Sequence, residues 1–192
     1  MKKAALVLLV VLLFVPAGMA WAAQEGGDNE VGASMSLSHE TYKLQDAPDP
    51  TTMVNFNMNI IFGHFFTPSH EAGLMFLLTY SMVNPGAKQS VTPNVGYLPG
   101  GFYRYNFMFN PRFVPYIGAS LGYVGESGKD FTVSGFYLGG EVGLKFFLTE
   151  KTSLYIAYLP LFQFTTFMPK NGTDENVNYL RNLLQVGVSV AF

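Results

Sequence analysis

The sequence has no cysteine among its 192 residues. It therefore forms neither a disulfide framework nor a thiolate metal site, and it lacks the N-terminal cysteine that a lipoprotein needs. Charged residues are also scarce, at 12% of the chain, which is about half of their usual share in globular proteins. A hydrophobic content of 49% nevertheless excludes a disordered chain.

Long hydrophobic runs are missing after residue 23. A membrane-spanning helix needs about 20 consecutive apolar residues, so this part of the chain is not a helical membrane protein. The hydrophobic residues, with an aromatic share of 16%, are distributed along the whole sequence instead. A chain with this composition must conceal its apolar residues in an alternating pattern.

The N-terminus has the parts of a secretory signal peptide. Two lysines follow the first methionine, an apolar run covers residues 4–15, and Ala20-Trp21-Ala22 provides a small-x-small cleavage site. We therefore predict a signal peptide at residues 1–22 and a mature domain at residues 23–192; an uncleaved membrane anchor is the alternative. Cleavage would leave nine basic and thirteen acidic residues, and this net charge of −4 argues against nucleic acid as a partner.

Alternation with a period of two is the dominant pattern of the mature chain. Between Met53 and Phe62 large apolar residues alternate with asparagines at positions 55, 57 and 59. We predict an all-β, eight-stranded, up-and-down antiparallel transmembrane β-barrel with strands of roughly ten residues, the length that a tilted strand needs to cross a membrane. The strands are predicted around residues 31–37, 53–62, 74–82, 103–109, 117–123, 138–146, 154–158 and 184–192.

The predicted connections alternate in length. The long ones are predicted at residues 44–51, 84–100, 125–134 and 165–177, and the short ones at 67–70, 110–112 and 149–152. Short turns on one side and long loops on the other are typical of outer-membrane barrels, whose turns lie in the periplasm. Pro160 is expected to end or perturb the seventh strand, because proline cannot donate a hydrogen bond to the ladder.

Alternation alone does not say which face of the barrel is apolar. A soluble lipocalin-like barrel would turn its apolar face inward. Three features favour lipid on the outside: the predicted export, the small and polar residues of the other face, and aromatic residues near the short turns. The aromatic residues that we assign to this interfacial girdle are Phe62, Phe65, Phe66, Phe107, Phe109, Phe113, Phe146 and Phe147.

The same parity directs three charged side chains into the barrel lumen: Arg104, Glu141 and Lys145. Because buried charges are costly unless they are paired, we predict an ion pair or network across the lumen. Arg181 and Gln185 of the last strand, with Glu40 of the first, would extend it toward the outer rim. The cluster is either the packing core of a filled barrel or a gate in a narrow ion path.

The histidines give little indication of catalysis. His39, His64 and His70 are scattered without metal-ligand spacing, and the neighbours Ser38 and His39 point to opposite faces of a strand. We predict that the chain is not an enzyme and has no cofactor or metal; a lipid-modifying enzyme that uses a histidine is the alternative.

Three segments resemble a known family: "RFVPYIGASLGY" at residues 112–123, "GGEVGLKFFL" at 139–148 and "LQVGVSVAF" at 184–192. They are similar to outer-membrane β-barrels of the OmpA/OmpX type and the OmpW-like type. The resemblance implies a location in the bacterial outer membrane among its lipids and lipopolysaccharide. It also implies that the terminal Phe192 is the signal recognised by the barrel-assembly machinery.

The expected role is structural or one of surface interaction through the loops. A narrow pore, or a lateral path for small and possibly apolar molecules, is the alternative. A lipid-modifying enzyme and a soluble lipocalin-like binder are further alternatives. The sequence does not identify an extracellular ligand.

Overall fold

A computed structural model describes residues 26–42, 51–84, 92–170 and 172–192. Each strand pairs antiparallel with the next, and the last pairs with the first, so that the sheet closes into a barrel. The predicted eight-stranded up-and-down barrel is confirmed. Its strands are β1 (Asn29–Tyr42), β2 (Thr51–Thr67), β3 (His70–Asn84), β4 (Thr92–Asn106), β5 (Phe113–Ser127), β6 (Phe131–Phe147), β7 (Thr152–Pro169) and β8 (Glu175–Ala191).

The period-two pattern sorts the side chains between the inside and the outside of the barrel. In β2, Phe56 is 43% exposed on the outer surface, whereas Asn57 is fully buried in the lumen. The outward side chains of all eight strands are mainly apolar or aromatic. This orientation is the predicted one and excludes the lipocalin-like alternative.

Two members of the predicted aromatic girdle are placed wrongly. Phe65 and Phe147 are 0% and 1% exposed and point into the lumen, because they share the inward parity of their strands. Phe66, Phe109 and Phe113 are exposed as expected. The parity of a residue along its strand therefore predicts the direction of its side chain better than its proximity to a short turn does.

The strands are longer than expected and the connections correspondingly shorter. β1 has 14 residues and β7 has 18. Residues 92–100, which we assigned to a long loop, belong to β4, and the predicted loops at 125–134 and 165–177 reduce to residues 128–130 and 170–174. At the other end, β4 stops at Asn106, so Phe107 and Phe109 lie beyond it. Residues 43–50 and 85–91, with the predicted signal peptide, lie outside the described residues.

Prolines interrupt the ladder locally without ending strands. β7 continues through Pro160 to Pro169, so of the two expected effects Pro160 perturbs this strand and does not end it. The β6–β7 register nevertheless passes from Gly139↔Leu161 directly to Val142↔Tyr158. Pro99 coincides with a similar gap in the β4–β5 register. Both gaps are consistent with the missing N–H of proline.

The seam between β1 and β8 is paired over only part of its length. Residues Glu30–Met35 pair with Val186–Ala191, whereas β1 pairs with β2 from Asn29 to Tyr42. Among the described residues, no helix is long and apolar enough to cross a membrane.

Candidate functional site

The lumen is filled by inward side chains in three layers. We call the end with the connections 68–69, 107–112 and 148–151 the turn end, and the opposite one the loop end. A charged layer lies nearest the turn end, an apolar layer follows, and amide and hydroxyl side chains occupy the loop end. The apolar layer is a buried cluster of Ile61, Met75, Leu77, Leu98, Phe102, Val124, Tyr137, Leu159, Leu161 and Leu183.

The charged layer is organised around a bidentate ion pair between Arg104 and Glu141. Arg104 Nε donates to Glu141 Oε2 at 2.8 Å, and Arg104 Nη2 donates to Glu141 Oε1 at 2.9 Å. Gly118 separates these residues in the sheet, since it pairs with Arg104 on one side and with Glu141 on the other. A Cβ at Gly118 would stand 3.0 Å from Arg104 Cγ, so the glycine provides the room for the pair.

Lys145 joins two further carboxylates to this pair. Its Nζ donates to Glu30 Oε2 at 2.8 Å and to Glu71 Oε2 at 3.2 Å. Arg104 Nη1 lies 3.5 Å from Glu71 Oε1, which connects the two halves of the network. The predicted cross-lumen network of Arg104, Glu141 and Lys145 is therefore present.

Sequence reasoning missed Glu30 and Glu71. Both carry the inward parity of their strands: Glu30 is in phase with Ser34 of β1, and Glu71 with Met75 of β3. The predicted strands began at residues 31 and 74, which left both glutamates outside the pattern. Extending the alternation by a few residues would have found them.

The five charged side chains are almost fully buried. Two cations and three carboxylates give the layer a formal charge of −1, and each side chain is at most 7% exposed. The tyrosine hydroxyl of Tyr116 donates to Glu141 Oε1 at 3.0 Å, and the Lys145 ammonium lies 5.0 Å from the ring centre of Phe65. Such burial is tolerated only because every charge has an opposite charge beside it.

This barrel and its filled lumen can be compared with known proteins. The profile of the family described as "Outer membrane protein beta-barrel domain" matches residues 6–192. The chain belongs to this family. Its location is accordingly the bacterial outer membrane.

Two solved structures of outer-membrane barrels have a similar fold. The outer membrane protein OprG from Pseudomonas aeruginosa is 14% identical, with a TM-score of 0.60 over 90% of this chain and 99% of OprG. Neisserial surface protein A (NspA) is 16% identical, with a TM-score of 0.56 over 87% of this chain and 98% of NspA. At such identities the likeness concerns the fold alone. No curated protein sequence matches the chain.

Arg181 and Gln185 do not extend the charged network of this outer-membrane barrel. Arg181 Nη1 donates to Thr79 Oγ1 at 3.0 Å, on the far side of the apolar layer. Gln185 Oε1 accepts a hydrogen bond from Ser34 Oγ at 3.1 Å. The predicted continuous network is therefore not formed at these two residues. For Arg181 the register is the reason, because Leu183 of the apolar layer follows it toward the turn end, whereas Gln185 lies on the turn-end side of Leu183 but bonds to Ser34. The Glu40 side chain lies outside the described residues.

The loop-end layer is a separate hydrogen-bonded group. Asn57 Nδ2 donates to Ser36 Oγ at 3.1 Å, and Asn57 Oδ1 accepts from Thr79 Oγ1 at 2.9 Å. These three residues are direct cross-strand neighbours on β1, β2 and β3. Arg181 reaches them across the lumen from β8.

The histidines and the terminal residue lie away from the lumen layers. His64 Nδ1 is 3.0 Å from Asn29 Oδ1, and His70 Nδ1 is 2.5 Å from the Tyr103 hydroxyl; the His39 side chain lies outside the described residues. Phe192 faces outward, and its backbone N–H donates to the Asn29 carbonyl at 2.9 Å. Its role as an assembly signal remains a prediction. No group of potential metal ligands occurs in the part of the chain that the structure describes.

Proposed function

We propose that this protein is a closed outer-membrane barrel whose role is structural or one of surface interaction, and whose lumen does not conduct ions. The apolar layer is the observation that carries the proposal. It lies across the lumen between the charged layer and the loop-end layer, and its members are at most 6% exposed. An ion crossing this layer would lose its hydration without finding a charged partner among its members.

The length of the strands supports a role on the cell surface. An apolar band of about 25 Å needs only about ten residues of a tilted strand. β6, β7 and β8 have 17, 18 and 17 residues, so part of each hairpin stands beyond the band. The rim and the connections of the loop end are thus the surface available for contacts outside the cell. We propose lipids and lipopolysaccharide of the outer membrane as the direct surroundings of the barrel wall.

Conductance in a planar lipid bilayer tests the closed lumen. We expect the folded protein to show no conductance steps. A double variant that thins the apolar layer, Leu98→Ala with Leu161→Ala, should introduce steps. The matched control, Leu121→Ala with Leu138→Ala, removes the same groups from the outer surface and should remain silent. Reproducible wild-type steps that respond to Arg104→Ala or Glu141→Gln would contradict the proposal and favour the narrow pore.

A lateral path for small apolar molecules is the second candidate function. The outer wall beside Pro99 carries a groove of about 500 Å³, lined almost entirely by apolar groups such as Phe62, Leu74 and Phe76. The β4–β5 register is interrupted at Pro99, on the β5 side of this groove, and Leu98 and Val124 of the apolar layer lie behind the gap. This arrangement could lead from the membrane to the apolar part of the lumen.

Uptake of a small apolar dye into liposomes containing the protein tests this candidate. Pro99→Val restores an N–H to β4 and should lower the uptake rate if the gap is the path. Pro115→Val, at an outward position of β5 inside a continuous register, is the matched control. Uptake that does not exceed that of empty liposomes, or that is the same in both variants, would exclude the path.

A further inference from the structure

One polar side chain interrupts the lipid-facing surface of β8. The outward residues on either side of it are Leu180 and Leu184, and valines follow at positions 186, 188 and 190. The interrupting residue is Asn182, which is exposed on this surface. Of the lipid-facing side chains that the structure describes between the aromatic row at Phe164 and the terminal Phe192, it is the one amide on β7 and β8.

The depth of Asn182 follows from the sheet register. The aromatic row consists of Tyr123, Phe136 and Phe164, which are cross-strand neighbours, and Phe164 pairs with Asn178. Asn182 is four residues further toward the turn end. On a strand tilted by about 40° this separation amounts to roughly 10 Å along the membrane normal. The amide therefore lies in the hydrocarbon region, below the aromatic row.

The hydrogen bonding of the amide is incomplete at this depth. Asn182 Oδ1 accepts a hydrogen bond from the Tyr158 hydroxyl at 2.6 Å. This bond satisfies the phenol and holds the amide, but it uses neither of the amide N–H groups. A polar group that faces hydrocarbon without a partner is costly, and such groups associate with other polar groups in membranes.

The surface next to Asn182 is a shallow groove. The row of neighbours Ala119, Gly140 and Pro160 leads to Asn182 across β5 to β8. A Cβ at Gly140 would find no atom closer than Pro160 Cγ at 3.8 Å, so the space above the glycine is open. Exposed bulky side chains border the groove on both sides: Leu138, Phe162 and Leu180 toward the loop end, and Val142, Tyr158 and Leu184 toward the turn end.

We propose that this face is a self-association surface, where the Asn182 amides of two copies hydrogen-bond to each other. A second copy in the same membrane presents its own Asn182 at the same depth, whereas the ester and phosphate groups of lipids lie at the headgroup level. A primary amide carries both a donor and an acceptor, so two copies related by a twofold axis along the membrane normal satisfy each other.

Disulfide crosslinking in the membrane tests this proposal, because the chain has no cysteine of its own. A single Leu184→Cys substitution places a thiol beside Asn182. Leu74→Cys, at a 68% exposed position of β3 on another side of the barrel, is the matched control. After oxidation we expect a covalent dimer from the Leu184→Cys protein and little from the control.

The role of the amide is tested by a second substitution in the Leu184→Cys protein. Asn182→Leu should lower the dimer fraction roughly tenfold, as expected for losing hydrogen bonds between proteins in a membrane. Asn178→Leu, above the hydrocarbon region, should leave the fraction unchanged. Slower gel migration after boiling verifies that each variant is folded, and Asn182→Ser replaces the leucine variant if that variant does not fold. Equal crosslinking at both cysteine positions, or crosslinking insensitive to Asn182, would overturn the proposal in favour of random collision or of lipid contact.

Discussion

Two adjacent glycines of β4 are predicted to respond very differently to the same substitution. A methyl group at Gly100 would overlap the hydroxyl of Tyr137 and the carbonyl of Leu121, and would lie 2.9 Å from Tyr137 Cζ. At Gly101 the nearest atom is the Gly73 carbonyl oxygen at 3.6 Å. The Tyr137 side chain packs over Gly100, whereas Gly101 faces open space.

The loss of stability expected for Gly100→Ala depends on which neighbouring atoms would have to move. Tyr137 is buried in the apolar layer, and the Leu121 carbonyl belongs to the backbone of the neighbouring strand beside the gap at Pro99. Neither can yield without loss of packing or of a ladder hydrogen bond, so Gly100→Ala should lower the free energy of unfolding by about 3 kcal/mol, at the upper end of the usual overpacking cost. Gly101→Ala should stay within about 0.5 kcal/mol of the wild type, as surface substitutions do.

Denaturant-induced unfolding in detergent or lipid measures this difference, with the heat-dependent shift in gel migration as the readout of the folded barrel. Tyr137→Phe removes the nearest atom, and this hydroxyl is itself buried without a hydrogen-bond partner among the described residues. The double variant of Gly100→Ala with Tyr137→Phe should therefore recover part of the loss, about 1 kcal/mol of coupling. Equal stabilities of the two alanine variants would refute the packing argument.

Three further predictions concern the lumen. Arg104→Ala leaves Glu141 without its cation and Glu71 with Lys145 alone, and it should cost about 3–5 kcal/mol in denaturant unfolding. Arg181→Ala, which loses one hydrogen bond to Thr79, should cost only about 1 kcal/mol; equal losses would contradict the layered arrangement. Gly118→Ala pushes a methyl against Arg104 and should cost about 1–3 kcal/mol, whereas Gly140→Ala on the open outer surface should have little effect in the same unfolding assay. Asn57→Leu leaves Ser36 and Thr79 without their shared partner and should lower stability by about 1–3 kcal/mol; an unchanged unfolding midpoint would show that these hydroxyls find other partners.

The sequence predicted the barrel because its pattern is local. In β2 the three asparagines and the large apolar residues alternate without interruption, so the pleat alone assigns each side chain to the inside or the outside. The same reasoning placed Arg104, Glu141 and Lys145 in the lumen correctly. The strand ends were not predicted, because Pro93, Pro99 and nearby glycines have the composition of a loop although β4 includes them.

The contacts within the lumen depend on register, which the sequence did not provide. Arg181 could have joined the carboxylates around Arg104 or bonded to Thr79, and the shift of β8 relative to β3 and β4 decides between the two. A shift of a few residues would move this side chain from the loop-end layer to the charged layer. The lipid-facing Asn182 was accessible from the sequence, since it interrupts an apolar series on β8. Its hydrogen bond with Tyr158 again required the register between β7 and β8.

The partial seam between β1 and β8 links the closure of the barrel to its charges. These two strands are the ends of the chain's sheet, so their pairing closes the longest loop and is expected to form last during folding. Glu30 belongs to the short paired stretch of β1, and its carboxylate binds Lys145 of β6 on the opposite wall. Until β1 docks, Lys145 and Arg104 lack one of their carboxylates and the lumen is open to water. Completion of the hydrogen-bonded ring and burial of the charged layer are therefore the same kinetic event, and the late closing strand adds the third carboxylate to two cations that Glu71 and Glu141 already balance.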